Sequence, residues 1–162
     1  MATYTFKGMG NALAYDAPGM SVLKKRIDFA DLIANPGKVA LASAPTIGLT
    51  SFAGLAAADV FQLFALPAGT LVTQMGLSVV TADSLAGTIA LGDGASTAGF
   101  GAAKAVNAVA SQITLVADAF GANNVMGKFY AAEDTLDALG AVATITEAVI
   151  DFWAVVCKVN DV

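Results

Sequence analysis

Leu71-Val72-Thr73-Gln74-Met75-Gly76-Leu77-Ser78-Val79-Val80 alternates with a period of two. Leu71, Thr73, Met75, Leu77 and Val79 share one side, and Val72, Gln74, Gly76, Ser78 and Val80 the other. Successive side chains of a strand point to opposite faces, so the stretch reads as a long strand with one strongly apolar face. Thr81-Ala82-Asp83-Ser84 supplies turn chemistry, and Gly87-Thr88-Ile89-Ala90-Leu91 reads as the antiparallel return, closed by Gly92-Asp93-Gly94. Upstream, Asp59 to Phe64 leads into the turn Leu66-Pro67-Ala68-Gly69.

The same reading extends towards the C-terminus. Ile113 to Phe120 alternates and is followed by the turn Gly121-Ala122-Asn123-Asn124. Short strands are expected at Phe129-Tyr130, at Thr135 to Leu139 and at Ala141 to Val149. The last strand, Ile150 to Val159, is apolar on both faces across Phe152 to Val156. Antiparallel strands carry that pattern when both faces are covered, so this one is central or meets a second subunit. By the two-residue period Ile150, Phe152, Ala154 and Val156 share one face, and Asp151, Trp153, Val155 and Cys157 the other. The first face fills the core; the second is the expected interface, with Trp153 as its aromatic anchor beside Val155.

The N-terminal third is less patterned. Tyr4, Phe6 and Val22 to Phe29 fit strands, while Ala40 to Ala58 fits a loop, or a short helix from Phe52 to Ala58 capped by Ser51. Ala102 to Ala110 has helix-compatible composition but also fits a long loop between strands. About eight to ten short antiparallel strands with little helix amount to an all-β fold, a β-sandwich or jelly roll. The chain is read as one β domain, 1–162, with 1–58 as an N-terminal arm or loop region.

Composition narrows the function. Charged residues are 13% and apolar residues 57% of the 162 residues, a balance opposite to that of disordered chains. So few charges cover a free surface poorly, and the many Ala and Gly residues (16 of them Gly) bury little area each. Both point to a homo-oligomer. With no His, Ser-His-Asp and Cys-His catalysis and imidazole metal sites are absent. The single Cys157 excludes an intrachain disulfide and Cys-based zinc sites, and it reads as a small buried hydrophobe.

Net charge −5 argues against nucleic-acid binding, since such domains usually show a basic face. The one basic run, Lys24-Lys25-Arg26, fits a solvated segment or a contact with an acidic partner. No run of about 18 apolar residues escapes Gly, Pro or charge, so no membrane helix is expected. Met1 to Lys7 lacks the basic-then-apolar order of a signal peptide, which with one unpaired Cys fits assembly in a reducing cytoplasm.

The remaining polar clusters favour bland readings. Glu133, Asp134 and Asp137 lie within one short turn and strand, whereas a glycosidase holds two carboxylates on facing elements. They read as a solvated turn. Gly92-Asp93-Gly94-Ala95-Ser96-Thr97-Ala98-Gly99 lacks the GK[ST] ending of a phosphate loop and reads as a strand-terminating turn. Asp83 and Asp93 lack the acidic ladder of a calcium loop. No catalytic residue, metal ligand or cofactor is expected.

Asp59-Val60-Phe61-Gln62-Leu63-Phe64-Ala65-Leu66-Pro67-Ala68-Gly69-Thr70-Leu71-Val72 resembles a segment of tailed-bacteriophage virion structural proteins. The following strand, Gly87-Thr88-Ile89-Ala90-Leu91-Gly92-Asp93-Gly94 and the closing Phe152-Trp153-Ala154-Val155-Val156 are also similar to that group. The resemblance spans less than half of the chain. It implies a β-sandwich capsid decoration (cement) protein, often a homotrimer, that clamps major capsid subunits on the virion surface. It brings no catalytic residues. The outer face of the last strand and the basic run supply the interface residues expected: Trp153, Val155, Lys24, Lys25 and Arg26. The alternative is a tail or head-fibre adhesion module for a host receptor or glycan; an enzyme or small-ligand carrier is disfavoured by the missing His and opposed carboxylates.

Overall fold

The computed structural model describes residues 1–7, 19–96, 98–109, 111–112 and 127–159. Within them the apolar alternation resolves into two sheets that share one core. The first sheet has six strands in the order β3 (Val39–Leu41), β1 (Thr3–Phe6), β4 (Val60–Leu66), β10 (Asp134–Ala141), β6 (Thr88–Asp93) and β7 (Gly101–Ala105). All its pairs are antiparallel except β1 with β4. The second runs β2 (Gly19–Asp28), β11 (Val149–Lys158), β5 (Thr70–Thr81) and β8 (Ser111–Gln112), with β9 (Lys128–Tyr130) on the same edge of β5 as β8. The result is the all-β sandwich expected from the sequence.

The core draws one layer from each sheet: Leu23, Ile27, Met75, Leu77, Ile150 and Phe152 from the second, Phe61, Leu63, Leu91 and Leu136 from the first. β11 is central, paired along its length with β2 and β5, and its faces divide as the alternation predicts. Ile150, Phe152, Ala154 and Val156 are buried, while Asp151, Trp153, Val155 and Cys157 are half-buried on the outer face. Cys157 is therefore not the buried hydrophobe expected of it.

β5 departs from its simple alternation. Opposite β11 the register passes from Val155↔Gln74 to Val156↔Val72, so Thr73 is the extra residue of a β-bulge. The bulge reverses the faces upstream of it: Val72 is buried, while Leu71 and Thr73 turn partly outward. The Thr73 hydroxyl donates to the Val155 carbonyl at 3.2 Å across the same irregularity.

Other local expectations give way to tertiary contacts. β6 is not the return strand of β5, because it lies in the other sheet between β10 and β7. The turn at 82–87 therefore carries the chain from one sheet to the other. Residues 142–148 are not a strand: Val142 takes φ +72°, and the backbone of 146–148 is held by Asp83. Residues 52–58 form no helix; the one α-helix among the described residues is α1 (Phe29–Ala34), whose N-cap Asp28 accepts from Asp31 N–H at 3.0 Å. The start of the Ala102–Ala110 stretch lies in β7. The strand expected at Ile113 to Phe120 and the turn at 121–124 lie outside the described residues.

Two buried carboxylates pin the sandwich. Asp83 accepts from Leu85 N–H at 2.9 Å, a local turn bond, and from the N–H groups of Thr146, Glu147 and Ala148 at 2.7, 2.9 and 3.3 Å. Burial raises its pKa, but these backbone donors outweigh burial and hold it below the usual carboxylate range. Asp93, at 0% exposure, caps its turn by accepting from Ala95 and Ser96 N–H. Its other oxygen receives the Tyr130 hydroxyl at 2.6 Å and the Lys128 ammonium, both from β9 of the opposite sheet. Asp93 is thus more than a strand-terminating turn: it ties the two sheets together. Despite its burial, hydrogen bonds from Lys128, Tyr130 and Ser96 keep its pKa low, while burial and then the bond to Asp93 push that of Tyr130 up.

Candidate docking surface

The outer face of the second sheet is built from cross-strand rows set by register. Arg26, Asp151 and Ser78 form one row; Lys24, Trp153 and Gly76 form the next. Val22, Val155 and Gln74 follow, then Met20, Cys157 and Leu71, with Phe129 of β9 extending that last row. One half is apolar and open: Met20, Val22 and Phe129 are 72%, 56% and 53% exposed. Apolar side chains grouped in this way mark a contact surface more often than singly scattered ones.

The other half is polar around an aromatic plate. The Trp153 indole lies on Gly76, where a Cβ would sit 2.4 Å from its Cζ2. Glycine is required at this position because any side chain would displace the ring. Arg26 grips Asp151 bidentately, Nε to Oδ1 and Nη2 to Oδ2, each at 2.6 Å. The hydrogen bonds from Arg26 hold the Asp151 pKa down, with Lys24 adding at longer range. These rows line a groove of about 390 Å³ that includes Lys24, Arg26, Ser78, Asp151 and Trp153.

The pleat divides the basic run. Lys24 and Arg26 project from the outer face, but Lys25 turns inward, its ammonium 3.9 Å from the Phe6 ring centroid and 3.3 Å from the Leu63 carbonyl. Burial pushes its pKa down to about 8. Lys25 is therefore a sheet-to-sheet contact, and the structure brings together Trp153, Val155, Lys24 and Arg26 on the outer face without it. Met20, Val22, Leu71 and Phe129 were not singled out from sequence. For Met20 and Val22 the signal was present, since they share the parity of Lys24 and Arg26 on one strand.

The acidic cluster does not stay together in solvent. Glu133 is exposed in the turn, whereas Asp137 is buried, against the solvated-turn expectation. Asp137 lies opposite Gln62 and Gly92 in the register, and its Oδ1 has no hydrogen-bond partner among the described residues. Burial pushes its pKa up to about 7, with Asp134 and Asp93 adding to the shift against a Thr135 hydrogen bond. Among the described residues no group of three His, Cys, Asp or Glu side chains is placed to hold a metal ion.

No family model and no curated protein matches the sequence. In fold, the chain is similar to one from the capsid of Ralstonia phage GP4, with 13% identity and a TM-score of 0.62 over 99% of this chain and 100% of that one. It is also similar to a chain of the cyanophage Pam1 capsid asymmetric unit, with 14% identity and a TM-score of 0.56 over 93% and 96%. At such identities the likeness is one of fold, a β-sandwich matched from end to end.

Proposed function

We propose that this chain is a structural, non-catalytic protein of a phage virion that decorates the capsid and stabilises it by binding major capsid subunits. The end-to-end fold likeness to the Ralstonia phage GP4 capsid chain carries the reading, since nearly all of both chains is matched. The outer face of the β2–β11–β5 sheet supports it, with Met20, Val22 and Phe129 exposed beside Trp153 and Val155. A homo-oligomer, with a trimer favoured by the sequence resemblance, accounts for the low charge content and leaves less of that apolar surface in water.

The test is quantitative protein analysis of gradient-purified particles from cells infected by the phage that encodes the chain. The expected result is a fixed ratio of this chain to the shell subunit, and its loss when Val22→Asp is introduced. Absence from particles, or presence in only the few copies of a tail component, overturns the proposal.

A further inference from the structure

We infer that the Trp153 groove receives an acidic segment of a neighbouring protein, with a carboxylate set against Lys24 and an apolar side chain against the indole. The inference deepens the docking reading above and rests on it.

Charge distribution selects the occupant. The chain carries net charge −5, yet Lys24 and Arg26 stand side by side on the groove with one carboxylate, Asp151, opposite Arg26. Arg26 is already committed to Asp151 through both oxygens, so its charge is locally answered. Lys24 makes no ion pair among the described residues and is exposed. It is the cation left for a partner, one strand away from the indole in the same row. A carboxylate arriving there meets an ammonium, while its neighbouring side chain meets an aromatic plate held flat by Gly76.

The same geometry disfavours a saccharide. Sugar recognition needs several convergent polar groups free to read hydroxyls. Here Arg26 and Asp151 satisfy each other, which leaves Ser78 and Lys24. Nucleic acid is disfavoured by the net negative charge.

Trp153 is the only tryptophan, so its emission reports on the groove directly. The experiment titrates the purified full chain with an octapeptide of alternating glutamate and leucine, against the same peptide with glutamine for glutamate. The expected result is a saturable change in Trp153 emission, roughly three- to tenfold weaker binding for the glutamine peptide, and a similar loss for Lys24→Glu. Raising salt from about 50 to 500 mM weakens the glutamate peptide more than the glutamine one. Circular dichroism of Lys24→Glu confirms that an exposed substitution has left the fold intact.

Equal binding of the two peptides, or no emission change with either, overturns the inference. So does tighter binding of polygalacturonate than of the peptide, which would make the groove a saccharide site. An emission change driven by raising the chain's own concentration and abolished by Lys24→Glu would make the occupant a second copy, also against it. The titration uses no particle, so its failure leaves the copurification result standing, and failure of copurification leaves the titration standing.

Discussion

Asp83→Ala is expected to be among the most destabilising single changes outside the apolar core. Its carboxylate accepts four backbone N–H groups, one from its own turn and three from 146–148. A hydrogen bond to a charged group contributes about 1.5–3 kcal/mol, and an orphaned buried donor costs about 1–3 kcal/mol. The four donors do not count equally. Leu85 and Glu147 are exposed, so water replaces the carboxylate there at little cost. Thr146 is half-buried with the shortest bond, and Ala148 is fully buried with the longest. Weighting these gives about 3–5 kcal/mol for the alanine variant, or roughly 6–20 °C in Tm for a chain of this size. Calorimetry of both proteins at neutral pH measures the difference.

A pH arm separates the charge from packing. The pKa of Asp83 is depressed in the fold, so its contribution is fully present above the unfolded value near 4 and is lost as pH falls through the lower folded value. Wild type should therefore lose stability on acidification over that window, and Asp83→Asn should lose less of it. A Tm for Asp83→Ala within about 2 °C of wild type would refute the clamp, because at least two donors would then have found other acceptors at no cost.

Asp93→Ala should cost about 2–4 kcal/mol in chemical denaturation, since the buried Tyr130 hydroxyl and the Ala95 and Ser96 N–H groups lose their acceptor and Lys128 loses its ion pair with Asp93; a loss under 1 kcal/mol would return Asp93 to a simple turn role. Lys25→Met should raise Tm at neutral pH by removing a desolvated charge. Because the folded pKa of Lys25 is about 8 and the unfolded value near 10.4, wild type should gain stability as pH rises between the two. Lys25→Met should lack that gain, and a matching pH profile in both proteins would count against the inward placement. Gly76→Ala should displace the indole and shift Trp153 emission, because the new Cβ would fall 2.4 Å from Cζ2; an unchanged spectrum would place the ring elsewhere.

Where local period and tertiary packing agree, the sequence alone determined the outcome. The faces of β11 follow from the two-residue period, because its pairing with β2 is regular and the extra residues of its irregular pairing with β5 fall on β5, so β11 keeps parity from Ile150 to Cys157. The all-β class and the lack of imidazole side chains and of an intrachain disulfide are likewise properties of composition and spacing. The tertiary structure decided whatever depends on a partner far along the chain. The parity of Leu71 and Val72 reverses because of a bulge whose position is set by β11, some eighty residues away. Val142, Thr144 and Thr146 alternate as a strand would, yet their segment ends β10, and its later N–H groups bind the carboxylate of Asp83 instead of a neighbouring strand. Asp83 itself shows the division. Its bond to Leu85 N–H is turn chemistry visible in Asp83-Ser84-Leu85, while the three bonds to 146–148 exist only once the chain has crossed from one sheet to the other. Backbone donors look alike at every residue, so no side-chain pattern marks which of them a distant carboxylate will satisfy.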